Sequence, residues 1–332
     1  MHTCAIDIHH HYMPPGLIEE LKAHGDSVGT EVGRTPEGLN TLTIGGGPSF
    51  VVPPPLMDVE KRLENMDKGK IALATLEPHT ACLGYRLNPE QGEAWCNLYN
   101  EGLMELRTRH PDRFTALAAV PLQDPERAAR VLERGIVEHK LAGAYIGTNV
   151  NGEYYRSHEF DAFWGKAQEL DALIVMHPED IAGLERMGTY GLFLICGNPA
   201  DTALSLGFMT YSGVFDRFPN LKLCTLHGGG FFPYHLGRFD QGFGVRPGAA
   251  DAEAENKPSA YLKNLYSDAL VYRVDTLEYL KSLLGWEHLM VGTDYPYPLG
   301  DWYAVEKVEA LDCPDEQKLA ILEGNARRLL KL

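Results

Sequence analysis

The sequence predicts an α/β fold: a (β/α)8 TIM barrel with a small insertion after the first strand. Eight short apolar runs recur along the chain, helical patterns separate them, and ionisable residues gather where the runs end. The runs span 5–11, 71–75, 114–120, 142–147, 173–177, 221–227, 265–267 and 289–294. With 332 residues, 44% of them hydrophobic, the chain is long enough for a substantial core. No internal repeat stands out and no linker is long enough to divide it, so 1–332 reads as one domain.

The first run continues into three histidines, "AIDIHHHYMPP". Successive side chains of a strand point to opposite faces, which places His9 and His11 with Asp7 and leaves His10 on the other side. At most two of the three histidines then serve one site. Segment 25–55 holds "LNTLTIGGGPSF" and "VVPPP", which read as a small hairpin and an extended linker covering the barrel mouth. Between the second and third runs, Trp95, Leu98, Tyr99, Leu103 and Leu106 recur at helical spacing and form a core-facing stripe. After the third run, Asp124-Pro125 supplies an N-cap and a first helical residue, followed by Ala128, Val131, Leu132 and Ile136 on one face. The polar stretch "GFGVRPGAADAEAENKPSA" reads as an exposed loop after the sixth strand.

In such barrels the active site lies at the C-terminal ends of the strands. His9 and His11 end the first run, His177 the fifth, His227 the sixth and Asp294 the eighth. A single histidine or aspartate there has an ordinary structural explanation, but five at one mouth form a candidate metal and acid/base site. Imidazole nitrogen and carboxylate oxygen suit zinc, and also manganese or iron. Three histidines and an aspartate fill most of a coordination shell and leave room for water.

Charge and cysteine usage narrow the partners. Thirty Lys and Arg stand against 46 Asp and Glu, a formal net charge of −16 that opposes nucleic acid and anionic membranes. A small anionic substrate needs a local positive centre, which a metal ion supplies. The six cysteines are scattered with no C-x-x-C pair, and the N-terminus shows no basic segment followed by an apolar one. No apolar run approaches the roughly 20 residues of a membrane span, so the expected location is cytoplasmic.

The motifs "DIHHHYMPP", "VPLQDPE", "MHPED", "LHGGG", "LGRFD", "GTDYPYPLG" and "EGNARRLL" resemble, in order and spacing, the amidohydrolase superfamily. The resemblance is to its branch of aminocarboxymuconate semialdehyde decarboxylase and related decarboxylases and hydratases, and it runs nearly end to end. It implies that His9, His11, His177 and Asp294 hold a divalent ion, zinc first and manganese second. It makes His227 the acid/base, with Asp294 beside it in the catalytic machinery. His10 is left as a packed or hydrogen-bonded bystander.

The same resemblance matches Arg238 to an arginine that reaches a neighbouring subunit's site and holds a substrate carboxylate, which implies a homodimer or higher oligomer. A second arginine of that branch is missing, because the insertion reads Ser49-Phe50-Val51-Val52. Arg86, with Glu77 and His79 close by in sequence, is the local candidate for binding substrate in its place, and Asp268 reads as a supporting residue. The expected activity is metal-dependent decarboxylation of a small unsaturated or aromatic carboxylic acid. The alternative is a hydrolase or hydratase that uses the same ion to activate water.

Overall fold

The computed structural model describes residues 4–245 and 251–332. Strand β1 (Ala5–Tyr12) is buried throughout. Helix α1 (Pro15–His24) leads from it to three antiparallel strands, β2 (Thr30–Arg34), β3 (Asn40–Ile44) and β4 (Phe50–Val51), in the order β2-β3-β4. A hairpin and linker were expected here. The strand "TEVGR" escaped the sequence reading because only Thr30 is buried, and pairing with β3 holds it rather than an apolar face.

Helix α2 (Val59–Lys68) brings the chain to β5 (Ile71–Pro78), which pairs in parallel with β1 and sets His11 opposite Glu77. Helix α3 (Pro89–Arg109) buries Trp95, Tyr99, Leu103 and Leu106 as the expected stripe. The third run divides at Leu117 into β6 (Phe114–Ala116) and β7 (Ala118–Ala119). Helix α4 (Pro125–Val137) begins where the sequence placed it, with the Asp124 carboxylate accepting from the Arg127 amide.

Strand β8 (Gly143–Gly147), helix α5 (Asp161–Glu169), strand β9 (Leu173–His177), helices α6 (Asn198–Tyr211) and α7 (Val214–Arg217), and strand β10 (Lys222–Thr225) continue the alternation. Helix α8 (Leu236–Gly242), strand β11 (Leu265–Asp268), helix α9 (Val274–Leu284) and strand β12 (Leu289–Met290) follow. The polar loop expected after the sixth strand lies partly outside the described residues, at 246–250.

The fold is α/β. Its parallel strands form two ladders, β1-β5-β6 and β7-β8-β9-β10-β11-β12, in place of one continuous ring. Consecutive strands β6 and β7 end one ladder and begin the other. At the opposite edge, isolated parallel bridges join Asp7 to Val291 and His10 to Tyr295.

Simple alternation fails in β1. Its register shifts between Asp7 and His10, and Asp7 turns away from His9 and His11. The Asp7 carboxylate instead accepts from His10 Nδ1 (2.8 Å), the Thr293 hydroxyl (2.5 Å) and the amides of His9 and Thr293 (3.0 Å each). His10 also stacks on Tyr295, with ring centroids 4.7 Å apart.

Arg62 of α2 locks this strand from outside. It is fully buried, donates to the carbonyls of His11 (2.8 Å) and Leu56 (2.9 Å), and places its guanidinium against the rings of Tyr12 and Tyr295. Losing it leaves two buried carbonyls without these donors and opens a gap between two aromatic rings. Arg62→Ala should therefore lower the unfolding free energy by about 3 kcal/mol in urea titrations. An unchanged midpoint would show that this contact does not anchor β1.

Candidate metal centre

His9 and His11 come from β1 and His177 from the end of β9. His227 and Asp294 were expected to end strands, but they lie beyond β10 and β12 in left-handed backbone, at φ +57° and +58°. Non-glycine residues seldom adopt this conformation, and it is held here by the surrounding structure. The turns swing both side chains toward the histidines. The Asp294 carboxylate spans the group, with Oδ1 3.2 Å from His9 Nε2 and 3.1 Å from His11 Nε2, and Oδ2 3.7 Å from His227 Nε2.

The far side of each ring fixes its tautomer. His11 Nδ1 faces the Pro78 carbonyl at 3.2 Å and His177 Nδ1 the Pro178 carbonyl at 2.8 Å. A carbonyl only accepts, so both rings donate from Nδ1 and carry a lone pair on Nε2. His9 Nδ1 donates to Asp268 Oδ2 at 2.8 Å, which turns its Nε2 toward Asp294. The Nε2 atoms of His9 and His11 are 3.2 Å apart, and both face the Asp294 oxygen. Two ring nitrogens and a carboxylate oxygen therefore meet within hydrogen-bonding distance, a contact that only a proton or a metal ion between them relieves. Such a donor set fits a cation. One donor atom from each of His9, His177, His227 and Asp294 also falls within a mutual 4.8 Å.

The electrostatics agree. Burial pushes His9 toward neutrality, but the charge of Asp294 and the bond to Asp268 outweigh it and lift its pKa well above the usual range. Asp294 is opposed by burial yet held well below the usual carboxylate range by His9, His11 and His227. Burial and the neighbouring imidazoles keep His177 well below the histidine range. Positive charge is thus favoured at His9, while burial and the neighbouring imidazoles hold His11 and His177 neutral.

Asp268 ties two arms of the site together, since its second oxygen accepts from the Gly228 amide at 2.8 Å. Gly292 makes room for this contact. A Cβ there would sit 2.7 Å from the Asp268 Cβ and 3.0 Å from that of His9.

Above the cluster opens a cavity of about 1120 Å³, walled by apolar groups such as Phe50, Leu83, Phe193 and Val271, with His177, His227 and Asp294 among its lining residues. Phe50 comes from the small antiparallel sheet and meets the His79 ring at 5.1 Å. Arg86 lines the cavity too, the one Arg or Lys to do so among the described residues, and sits 3.4 Å from Asp180. The glycine-rich tip after β3 packs against it, where a Cβ on Gly47 would meet Arg86 Cδ at 2.9 Å. Arg238 is exposed on α8 and is not among the residues lining this chain's own cavity.

Glu77 and His79 prove to be buried rather than loop residues facing water. His79 is driven down to about 3 by burial and by His11, and its Nδ1 pairs with the Tyr297 hydroxyl. Tyr297 was missed in the sequence, although it stands three residues after Asp294 in "GTDYPYP" and its ring lies 5.0 Å from that of His11.

Residues 6–332 match the amidohydrolase family model. The chain is 32% identical over 276 residues to the 2-amino-3-carboxymuconate-6-semialdehyde decarboxylase of Dictyostelium discoideum, covering 83% of this chain and 77% of the relative. The structure of 5-carboxyvanillate decarboxylase from Sphingomonas paucimobilis superposes with a TM-score of 0.84 at 24% identity, covering 99% of each chain. The dihydroxybenzoic acid decarboxylase of Polaromonas sp., with bound manganese and the inhibitor 2-nitroresorcinol, superposes with a TM-score of 0.80 at 23% identity. That match covers 99% of this chain and 97% of the other.

Proposed function

Because the chain belongs to the amidohydrolase family, we propose that it is a metal-dependent carboxy-lyase that removes carbon dioxide from a small unsaturated or aromatic carboxylic acid. The observation that carries this reading is the convergence of the His9 and His11 Nε2 atoms on Asp294 beneath an apolar cavity. In this reading His9, His11, His177 and Asp294 hold the ion. Zinc suits three imidazoles and one carboxylate, and manganese is the second choice.

A divalent ion bound there supplies an electron sink by drawing charge onto a substrate oxygen. The protein supplies the rest. The apolar walls desolvate the acid, and Arg86 at the rim offers a planar guanidinium that can take a carboxylate through two parallel bonds. When the carbon–carbon bond breaks, carbon dioxide leaves and the electron pair stays on the substrate. A proton then captures that pair, and His227 is the group placed to carry it, with Asp294 Oδ2 orienting its ring.

The two ladders read as one eight-stranded barrel whose seams are Leu117 and the Asp7–Val291 bridge. Chain 1–332 is then one domain, with segment 25–55 as an insertion over the mouth. Among the described residues no helix is long and apolar enough to cross a membrane, and a cytoplasmic location is part of the proposal. So is a homodimer or larger homo-oligomer. Among the described residues the cavity has one arginine of its own, already near Asp180, and Arg238 is exposed on α8 where a second copy can receive it.

Protein purified without added metal should carry about one divalent ion per chain by elemental analysis. His11→Ala should lose it, whereas His227→Ala should keep it and lose about 10²-fold or more in turnover. Equal metal loss in both would make His227 a ligand. Across a panel of phenolic and dienoic acids, product mass should show loss of carbon dioxide. A gain of water without that loss would identify a hydratase.

Arg86→Ala should raise KM with little change in metal content. For the oligomer, co-expressed Arg238→Ala and His227→Ala chains with separate tags should recover activity, because one hybrid site holds both groups. A verified hybrid with no recovery, or a fully active monomer, would leave Arg238 as a surface residue.

A further inference from the structure

Glu77 is the last residue but one of β5, set opposite His11 in the parallel ladder. Its side chain is fully buried, and neither carboxylate oxygen has a hydrogen-bond partner. The nearby His11 Nδ1, 4.0 Å from Oε2, is already turned to the Pro78 carbonyl. Glu77 is not part of the cavity wall, so substrate cannot reach it. A buried carboxylate without a partner is costly, and native structures seldom leave one in that state.

One kind of partner has a place waiting. A carboxylate oxygen of Glu77 and one nitrogen each of His9 and His11 lie within a mutual 4.8 Å. We propose that Glu77 is a further carboxylate committed to the metal ion held by His9, His11, His177 and Asp294, meeting it from the side away from the cavity. This rests on the metal-site reading above.

Charge balance favours the assignment. A divalent ion held by three neutral imidazoles and Asp294 keeps one net positive charge, and Glu77 cancels it. Asp7 and Asp268 are other acids nearby, but Asp7 already accepts from His10, Thr293 and the His9 amide, and Asp268 from His9 Nδ1 and the Gly228 amide. The Tyr145 hydroxyl, also buried without a partner, makes no hydrogen bond to Glu77 and brings no charge. The site would then offer five protein groups and suit ions that accept more than four ligands.

Glu77→Gln is the test, because glutamine keeps the shape and removes the charge. Zinc affinity, read by chelator competition on full-length protein, should fall about 10- to 100-fold. Thermal unfolding supplies a second readout. Without metal, the variant should melt at least as high as wild type, because Glu77 has no hydrogen-bond partner there to lose. With zinc, its gain in Tm should be smaller than that of wild type.

If the glutamine variant does not fold, Glu77→Asp retracts the carboxylate but keeps its charge. It should show the same loss of affinity. His11→Ala separates the two levels of inference, since retention of metal by that variant would undo the metal site itself. If His11→Ala loses the ion while Glu77→Gln binds zinc within about threefold of wild type, Glu77 has no part in holding it. A metal-free Glu77→Gln protein that melts below wild type would overturn the proposal as well, by showing an ordinary structural role.

Discussion

Three imidazoles held as Nδ1 donors set the terms for the rest of this structure. Pro78, Pro178 and Asp268 each accept from one ring, and that choice leaves Nε2 of His11 and His177 as lone pairs and turns Nε2 of His9 to Asp294. Bringing such atoms together is repulsive until a positive charge sits among them. The fold must therefore hold the cluster firmly, and it does so through backbone. Both carbonyl acceptors belong to prolines at the ends of β5 and β9, so the strands that position the site also fix its protonation.

The same demand explains where the backbone departs from regular strand. A residue that continues β10 or β12 points alternately in and out, and the last position need not aim at the centre. Left-handed turns at His227 and Asp294 break that constraint and direct both side chains to one place. Asp268 links the two regions by holding His9 through one oxygen and the Gly228 amide through the other. Strain in one turn is thus shared with the orientation of His9, and Gly292 leaves the gap that lets them meet.

Much of this was legible in the sequence, because the residues that make the site also end apolar runs. The α/β class, the helix opened by Asp124 and Pro125 and the gathering of His9, His11, His177, His227 and Asp294 all follow from local pattern. What was not legible depends on partners far along the chain. Asp7 seemed to share the metal face because alternation was assumed regular, and a register shift before His10 undid that. The strand at Thr30–Arg34 has too little buried surface to show a period. The burial of Glu77 was not legible, since it is set by β1 and by the interior it faces. Tyr297 acquires its role through His79, more than 200 residues earlier.

Net charge poses the last constraint. A chain at −16 repels an anionic acid at long range, so attraction has to be built locally and at short range. The cavity answers with apolar walls, which strengthen each charge they enclose, and with Arg86 at the rim as its sole Arg or Lys among the described residues. Asp180 lies beside that guanidinium, so an arriving carboxylate competes with a partner already in place. The exchange favours a ligand able to accept two parallel bonds and disfavours monopoles that a free ammonium would take equally well. The glycine-rich tip laid against Arg86 restricts where the guanidinium can travel, which turns a mobile surface charge into a directed one. On the proposed reading, selectivity for planar carboxylates would arise at the entrance, above the histidines.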